Sequence, residues 1–257
     1  MTDVVEQPTT VDVASSLVWA APTPPSETPI DVDAYALGKT LETLIALGAA
    51  TSVRSTQTTL GSSEAGHQCD RRIAYRLAGV PAVNHVQDPL RAFVGVGLHL
   101  GMAELFQRLD GGAGRFLVES HVEYRGVPGT VDLFDRFTGT VIDWKSTVRS
   151  KVSAIQRDGP PMPYVVQCQI YAAALAAAGE AVRTVALAFV PVDGQLSGLY
   201  VWRAPFEQRV ADEAVDRIDR LRRTLPADAH HRVDRLCPWC HHYLAGSTDL
   251  AIGCPGA

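Results

Sequence analysis

The chain has 257 residues, a formal net charge of −5 and 46% apolar side chains, the profile of an ordinary soluble globular protein. A net-acidic chain is excluded as a general polyanion binder, so any nucleic-acid contact must use a local basic surface. Of 23 basic side chains only Lys39, Lys145 and Lys151 are lysines.

In chain order, residues 1–32 are Pro/Thr/Ser-rich and acidic without a sustained period, which predicts a disordered tail. The apolar run Val13–Ala21 is too short to span a bilayer and no basic segment precedes it, so neither signal peptide nor membrane anchor is expected. Residues 33–257 then form one domain large enough for a sizeable core. Helical periodicity covers 33–50, a polar loop runs to His67, and Cys69–Gly79 reads as a short amphipathic helix ended by its glycine. A longer helix follows to about 110, with Asp88 as cap and Pro89 at its first position. Strands are expected at 115–124, 128–135 and 140–146. A Pro/Gly loop at 159–163 leads into an Ala-rich helix that closes at Gly179. Two further strands (182–191 and 198–203), a charged helix (205–225) and a loop-like end from Cys237 complete the order. This predicts an α/β fold, a central mixed sheet flanked by helices, without internal repeats. Arg149 with Lys151 could supply a basic surface. Arg217, Arg220, Arg222 and Arg223 could as well, though a solvated helix face explains that second cluster too.

The stretch GTVDLFDRFTGTVIDWKST (129–147) puts carboxylates and a lysine into a strand-like run. With RFTG (136–139) as a hairpin turn, Asp135 faces Thr140 and the antiparallel register sets Asp132 opposite Asp143. Lys145 then shares their face, while Ile142 and Trp144 point to the other. Like charges so placed repel, and a hard divalent cation between them would make the arrangement favourable. Glu119 on the preceding strand is either a further acid of this group or a solvated edge residue.

These residues resemble the metal site of the RecB-like branch of the PD-(D/E)xK nucleases. The GTVD…DWK hairpin is preceded by Gly95-x-x-x-His99 and followed by Gln167-x-x-x-Tyr171, in the order and at the intervals of that family. The resemblance implies a restriction-endonuclease-like core. It makes Asp132, Asp143, His99 and the Trp144 carbonyl ligands of Mg²⁺ or Mn²⁺, with Lys145 orienting water or stabilising negative charge. Gln167 and Tyr171, with Tyr164 a turn back, would position the DNA strand and the water. Read without the family, His99 is a satisfied core histidine and Tyr171 a packing residue. Val131 stands where family members often carry proline.

Five cysteines occur. Cys168, inside the Ala-rich helix, reads as a small buried residue. Cys237, Cys240 and Cys254 have the look of soft-metal chemistry, and Cys69 makes a fourth thiol. The resemblance to iron–sulfur members of the family, the CRISPR-associated exonuclease type, implies that these four hold a [4Fe–4S] cluster clasping the N- and C-terminal segments. Structural zinc is the alternative, with His241 or His242 able to replace Cys254. A disulfide scaffold is not expected.

The expectation is therefore a Mg/Mn-dependent DNA exonuclease acting on single strands or DNA ends. It would serve recombination, repair or processing in the cytoplasm of a bacterium or phage-infected host, and the arginine bias with Ala/Val richness fits a GC-rich genome. Recombination or CRISPR proteins are its expected partners. The alternatives are a nuclease trimming CRISPR spacer precursors and a non-catalytic DNA-binding subunit.

Overall fold

The computed structural model describes residues 34–50, 59–84, 88–233 and 237–256; the predicted tail at 1–32 lies outside them. The chain divides into two compact units after Thr43, within the helix α1 (Ala34–Ala50). The second unit carries the sheet.

That sheet has five strands in sequential order, β1 (Phe116–Tyr124), β2 (Val127–Asp135), β3 (Thr140–Thr147), β4 (Thr184–Pro191) and β5 (Tyr200–Pro205). All neighbours are antiparallel except β3 and β4, which run parallel. A parallel pair needs a long crossover, and the helices α5 (Arg149–Asp158) and α6 (Met162–Ala177) provide it. The hairpin turn falls at 136–139 as expected. Asp135 pairs with Thr140, and Gly139 takes the left-handed conformation at φ 67° that a side chain would resist.

Helix α4 (Leu90–Asp110) lies on one face of the sheet, where Leu98, Met102 and Phe106 pack on Phe116, Val118, Leu133 and Trp144. It begins where expected, with the Leu90 N–H donating to Asp88 Oδ1 at 3.0 Å. On the other face α6 packs through Cys168, Tyr171 and Leu175 against Val131, Phe134, Val141 and Leu187. The outer side of α6 is covered in turn by α2 (Ser62–Ala65), α3 (Asp70–Leu77) and α7 (Gln208–Leu221), in a core of Ala65, Ile73, Ile170, Val215 and Ile218.

Two helices were not expected. The polar loop before His67 contains α2, whose Ser62 and Ala65 are buried. The residues after β3 form α5, which buries Val152 alone and so has almost no apolar period to betray it. The arginines of α7 behave largely as a structural face. Arg217 Nε donates to Asp70 at 2.6 Å, and Arg222 binds Asp219 and the Gly126 carbonyl.

Candidate metal centre

The site sits where the sheet comes apart. Pairing of β2 with β3 runs from Asp135/Thr140 only to Leu133/Ile142 and stops one pair short of Asp132 and Asp143. The expected face-to-face pair in a continuous ladder is therefore corrected: the next N–H of β3 available there, that of Trp144, donates at 2.7 Å to Asp132 Oδ2 instead of to β2. Between β1 and β2 the ladder likewise skips Glu119 and Asp132. Glu119 is held at φ 45°, a left-handed conformation that costs an ordinary residue about 1–2 kcal/mol. Strain of this sort persists only where the surroundings enforce it, and it collects at functional sites.

The break changes which way side chains point. On β1, Leu117 and Val122 both face α6 although their spacing is odd, and on β2 so do Val131 and Phe134. Both strands thus switch faces around Glu119 and Asp132. The gap lets groups from both sides of the sheet meet. From α4 comes His99, whose Nδ1 lies 3.2 Å from Asp132 Oδ1 and 4.0 Å from Glu119 Oε1. These three residues offer ligand atoms all within 4.8 Å of one another, the one such grouping among the described residues. The hydrogen bond that His99 donates to Asp132 raises the His99 pKa above its ordinary value, against the lowering effect of burial.

Asp143 and Lys145 approach from the α6 side. Asp143 is 1% exposed, and Lys145 Nζ stands 2.6 Å from its Oδ2. Asp143 Oδ2 is thus paired with the Lys145 ammonium, while its buried Oδ1 has no hydrogen-bond partner among the described residues. Burial pushes its carboxyl up to about 6, with the nearby Lys145 charge working the other way. Burial works to lower the Lys145 pKa too, but the negative groups around it, Asp143 foremost, leave it raised, so the side chain is an ammonium. Its Nζ also donates to Gln167 Oε1 at 3.0 Å and lies 4.5 Å from the centre of the Tyr164 ring. Gln167 Nε2 donates to the Tyr171 hydroxyl at 2.7 Å. Gln167 and Tyr171 are both buried, so what they touch is Lys145 and its support rather than an open surface.

The sequence reading left Glu119 undecided between acid and edge residue, and the structure puts it with His99 and Asp132. Its one visible signal was its register, opposite Asp132 when the β1–β2 ladder is extended across the gap. The Trp144 ring stacks on Phe106 at 5.6 Å, and its peptide is fixed beside Asp132 by the N–H already described. The donor set suits a hard or borderline divalent cation: carboxylates, one imidazole, and a buried carboxylate with one oxygen unpartnered.

A second cluster lies at the chain ends. Cys69, Cys237, Cys240 and Cys254 line one cavity, together with His67, His231, Arg71, Arg72 and Arg232. All four are free thiols, and burial pushes the Cys240 thiol up. Cys254 Sγ is 3.4 Å from His231 Nε2. Neither His241 nor His242 is among the residues that line this cavity. The His242 ring stacks on Tyr75 at 4.8 Å, and burial pulls its pKa down to about 4. Cys168 stays apart, fully buried, with its thiol facing the Ala186 carbonyl.

No family model and no curated protein matches the chain. Among solved structures it is similar to SSO0001, at 18% identity over 80% of this chain and 93% of that one, with a TM-score of 0.45. It is also similar to the alkaline exonuclease LHK-Exo from Laribacter hongkongensis, at 12% identity over 64% and 86% of the two chains, with a TM-score of 0.44. A phage-related exonuclease from Haemophilus somnus 129PT gives 12% identity, 64% and 92% coverage, and a TM-score of 0.43. Likeness at this distance concerns the arrangement of sheet and helices alone.

Proposed function

We propose that the chain is a divalent-cation-dependent deoxyribonuclease that removes nucleotides from DNA ends. The observation that carries this reading is Asp143: a fully buried carboxylate paired through Oδ2 with Lys145, its Oδ1 unpartnered, next to the His99–Glu119–Asp132 cluster. Burying a carboxylate oxygen without a partner is costly, and a cation shared with Asp132 would relieve that cost. His99, Glu119, Asp132 and Asp143, with the Trp144 carbonyl, would hold Mg²⁺ or Mn²⁺. The ion supplies a lowered pKa for water and charge neutralisation at phosphate.

The remaining chemistry belongs to the chain. Lys145 is charged, so it acts as a donor that stabilises negative charge on the scissile phosphate and not as the base. Gln167 and Tyr171 hold the Lys145 ammonium at its angle, and the Tyr164 face keeps it from swinging away. Arg149 and Lys151, exposed at the start of α5 only a few residues past Lys145, suit the DNA backbone.

The four-cysteine cavity fits the proposed [4Fe–4S] cluster. Four thiolates could equally hold a structural zinc, which stays the alternative occupant. The surrounding arginines suit an anionic cluster. A catalytic role is preferred to a non-catalytic DNA-binding subunit because the sequence retains both aspartates and Lys145; a stand-alone role in recombination or repair is the leading reading, with spacer-precursor trimming the alternative.

The test is incubation of the purified protein with end-labelled single- and double-stranded DNA and Mn²⁺. Progressive shortening is expected, absent in Asp143→Ala. DNA binding without cleavage would overturn the enzyme reading.

A further inference from the structure

His231 belongs to none of the motifs above, yet its Nε2 lies 3.4 Å from Cys254 Sγ, within hydrogen-bond reach of the sulfur. Both residues line the cavity that Cys69, Cys237 and Cys240 share.

Two separately anchored segments bring these atoms together. Thirteen residues lie between Cys240 and Cys254, and backbone pairing folds that length back on itself. The Cys254 N–H donates to the His242 carbonyl at 2.7 Å, and the Leu244 N–H donates to the Cys254 carbonyl at 2.8 Å. Glycines permit the close approach. A Cβ on Gly253 would fall 2.7 Å from Leu244 Cβ, and one on Gly256 would fall 2.5 Å from Tyr243 Cε2. Cys254, 7% exposed, is thereby fixed in the cavity wall. His231 is placed independently. The Arg71 N–H donates to the His230 carbonyl at 3.1 Å, and Arg71 Nε donates to the Pro226 carbonyl at 3.1 Å. These bonds pin 226–230 to the start of α3, two residues past Cys69.

The chemistry of the pair fixes its direction once a metal is bound. A free thiol can donate to the imidazole or accept from it. A metal-bound thiolate carries no proton and only accepts, so Nε2 must then bear the hydrogen. A nearly buried thiolate without a donor is costly. A donated N–H offsets that cost and favours added negative charge on the metal group.

We infer that His231 is a positioning residue for the thiol cluster: it donates from Nε2 to the Cys254 thiolate, slows metal loss and raises the cluster's reduction potential. The inference rests on the proposed occupancy of the four cysteines by a [4Fe–4S] cluster and is independent of the nuclease reading.

The experiment uses the full chain purified without oxygen, as wild type, His231→Ala, His231→Gln and His230→Ala. His230 is an exposed neighbour that does not line the cavity. Metal content is measured first, then iron release to bathophenanthroline disulfonate, and then the midpoint potential by dithionite titration followed by EPR. Removing the donor predicts iron release roughly tenfold faster in His231→Ala. A tenfold change in a one-electron equilibrium is about 59 mV, and the potential of His231→Ala should fall by that order. His231→Gln keeps a side-chain N–H and stays near wild type in both readouts, as does His230→Ala. Unchanged release and potential in His231→Ala overturn the inference. So does a His231→Gln as labile as His231→Ala, which would make the imidazole a ligand instead of a donor. A wild type that carries zinc sinks the cluster reading and the predicted potential. Zinc release to pyridylazoresorcinol then decides the contact itself: tenfold faster in His231→Ala upholds it, and an equal rate overturns it. A wild type holding neither metal overturns both readings.

Discussion

In the proposed site four residues would hold the cation, and two of them carry their own structural cost. Asp143 is buried with Oδ1 unpartnered and Glu119 sits at positive φ, so each is expected to report on the ion in a different way. A ligand at a hundredfold excess over its Kd stabilises the fold by about 2.7 kcal/mol, which for a domain of this size raises Tm by about 5–11 °C. Mn²⁺ should raise the melting temperature of the wild type by that order and leave Asp143→Asn unmoved; an equal rise in both would remove Asp143 from the ligand set. Glu119→Gly should cost little stability. Relief of about 1–2 kcal/mol of left-handed strain roughly offsets the glycine entropy of about 0.4–1 kcal/mol. The same change should weaken Mn²⁺ binding tenfold or more in a calorimetric titration. Unchanged affinity would return Glu119 to the role of an edge residue. Asp143 and Lys145 share a face as the alternation of β3, a local property, predicts, whereas Asp132 lies where the ladder opens and the strand switches faces, so its place did not follow from the register. The contact between His99 and Asp132 was not readable from period or composition, since it depends on a gap in the sheet, and a residue at positive φ such as Glu119 leaves no trace in a single sequence.

At the scale of elements, the β2–β3 hairpin has to stay paired at its turn while its strands part at the site. The turn end is held by Asp135, which accepts from Arg115 at 2.8 and 3.0 Å, from the Phe137 N–H at 3.1 Å and from Thr138 Oγ1 at 3.0 Å. The Arg115 hydrogen bonds hold its carboxyl below the ordinary value. Depression means that the folded state binds the proton more weakly than the unfolded chain does, so the stabilisation is full above the unfolded pKa and is lost as pH falls through the folded one. Asp135→Asn should cost about 1–2 kcal/mol near neutral pH, at the lower end for charged hydrogen bonds because Arg115 is half-exposed. The difference from wild type should shrink steadily below about pH 4. A gap between the two denaturation curves that is constant with pH would show that the carboxylate charge does not matter there. The strands of this hairpin and the long helix α4 were legible because their periods span many residues. Helix α2, four residues between two glycines, and α5, with one buried side chain, offer no such run and are fixed by packing.

Across the whole molecule, the cysteine cavity joins segments that are far apart in sequence. Cys69 caps the start of α3, while Cys237, Cys240 and Cys254 belong to the last described residues. Those ends are already tied by a few direct contacts. Asn84 donates to the Pro238 and Cys240 carbonyls, and Tyr75 donates to Leu250 at 2.7 Å. The Val83 and Asn84 N–H groups bond to the His241 carbonyl. None of these enters the sheet, whose core of Val131, Phe134, Val141 and Leu187 is complete without them. Closing a loop of more than a hundred residues removes unfolded-state entropy worth about 4–5 kcal/mol on the chain-entropy argument, and the loss should fall where the tie is. If the four thiols hold the proposed cluster, the wild type should be brown, and Cys237→Ala is expected to bleach it and to speed amide exchange across 69–84 and 237–256, with the protection of β2, β3 and α6 retained. Exchange that rises uniformly over the sheet would mean that the tie holds the sheet core itself together, and a wild type that is colourless and carries zinc would remove the cluster from the account.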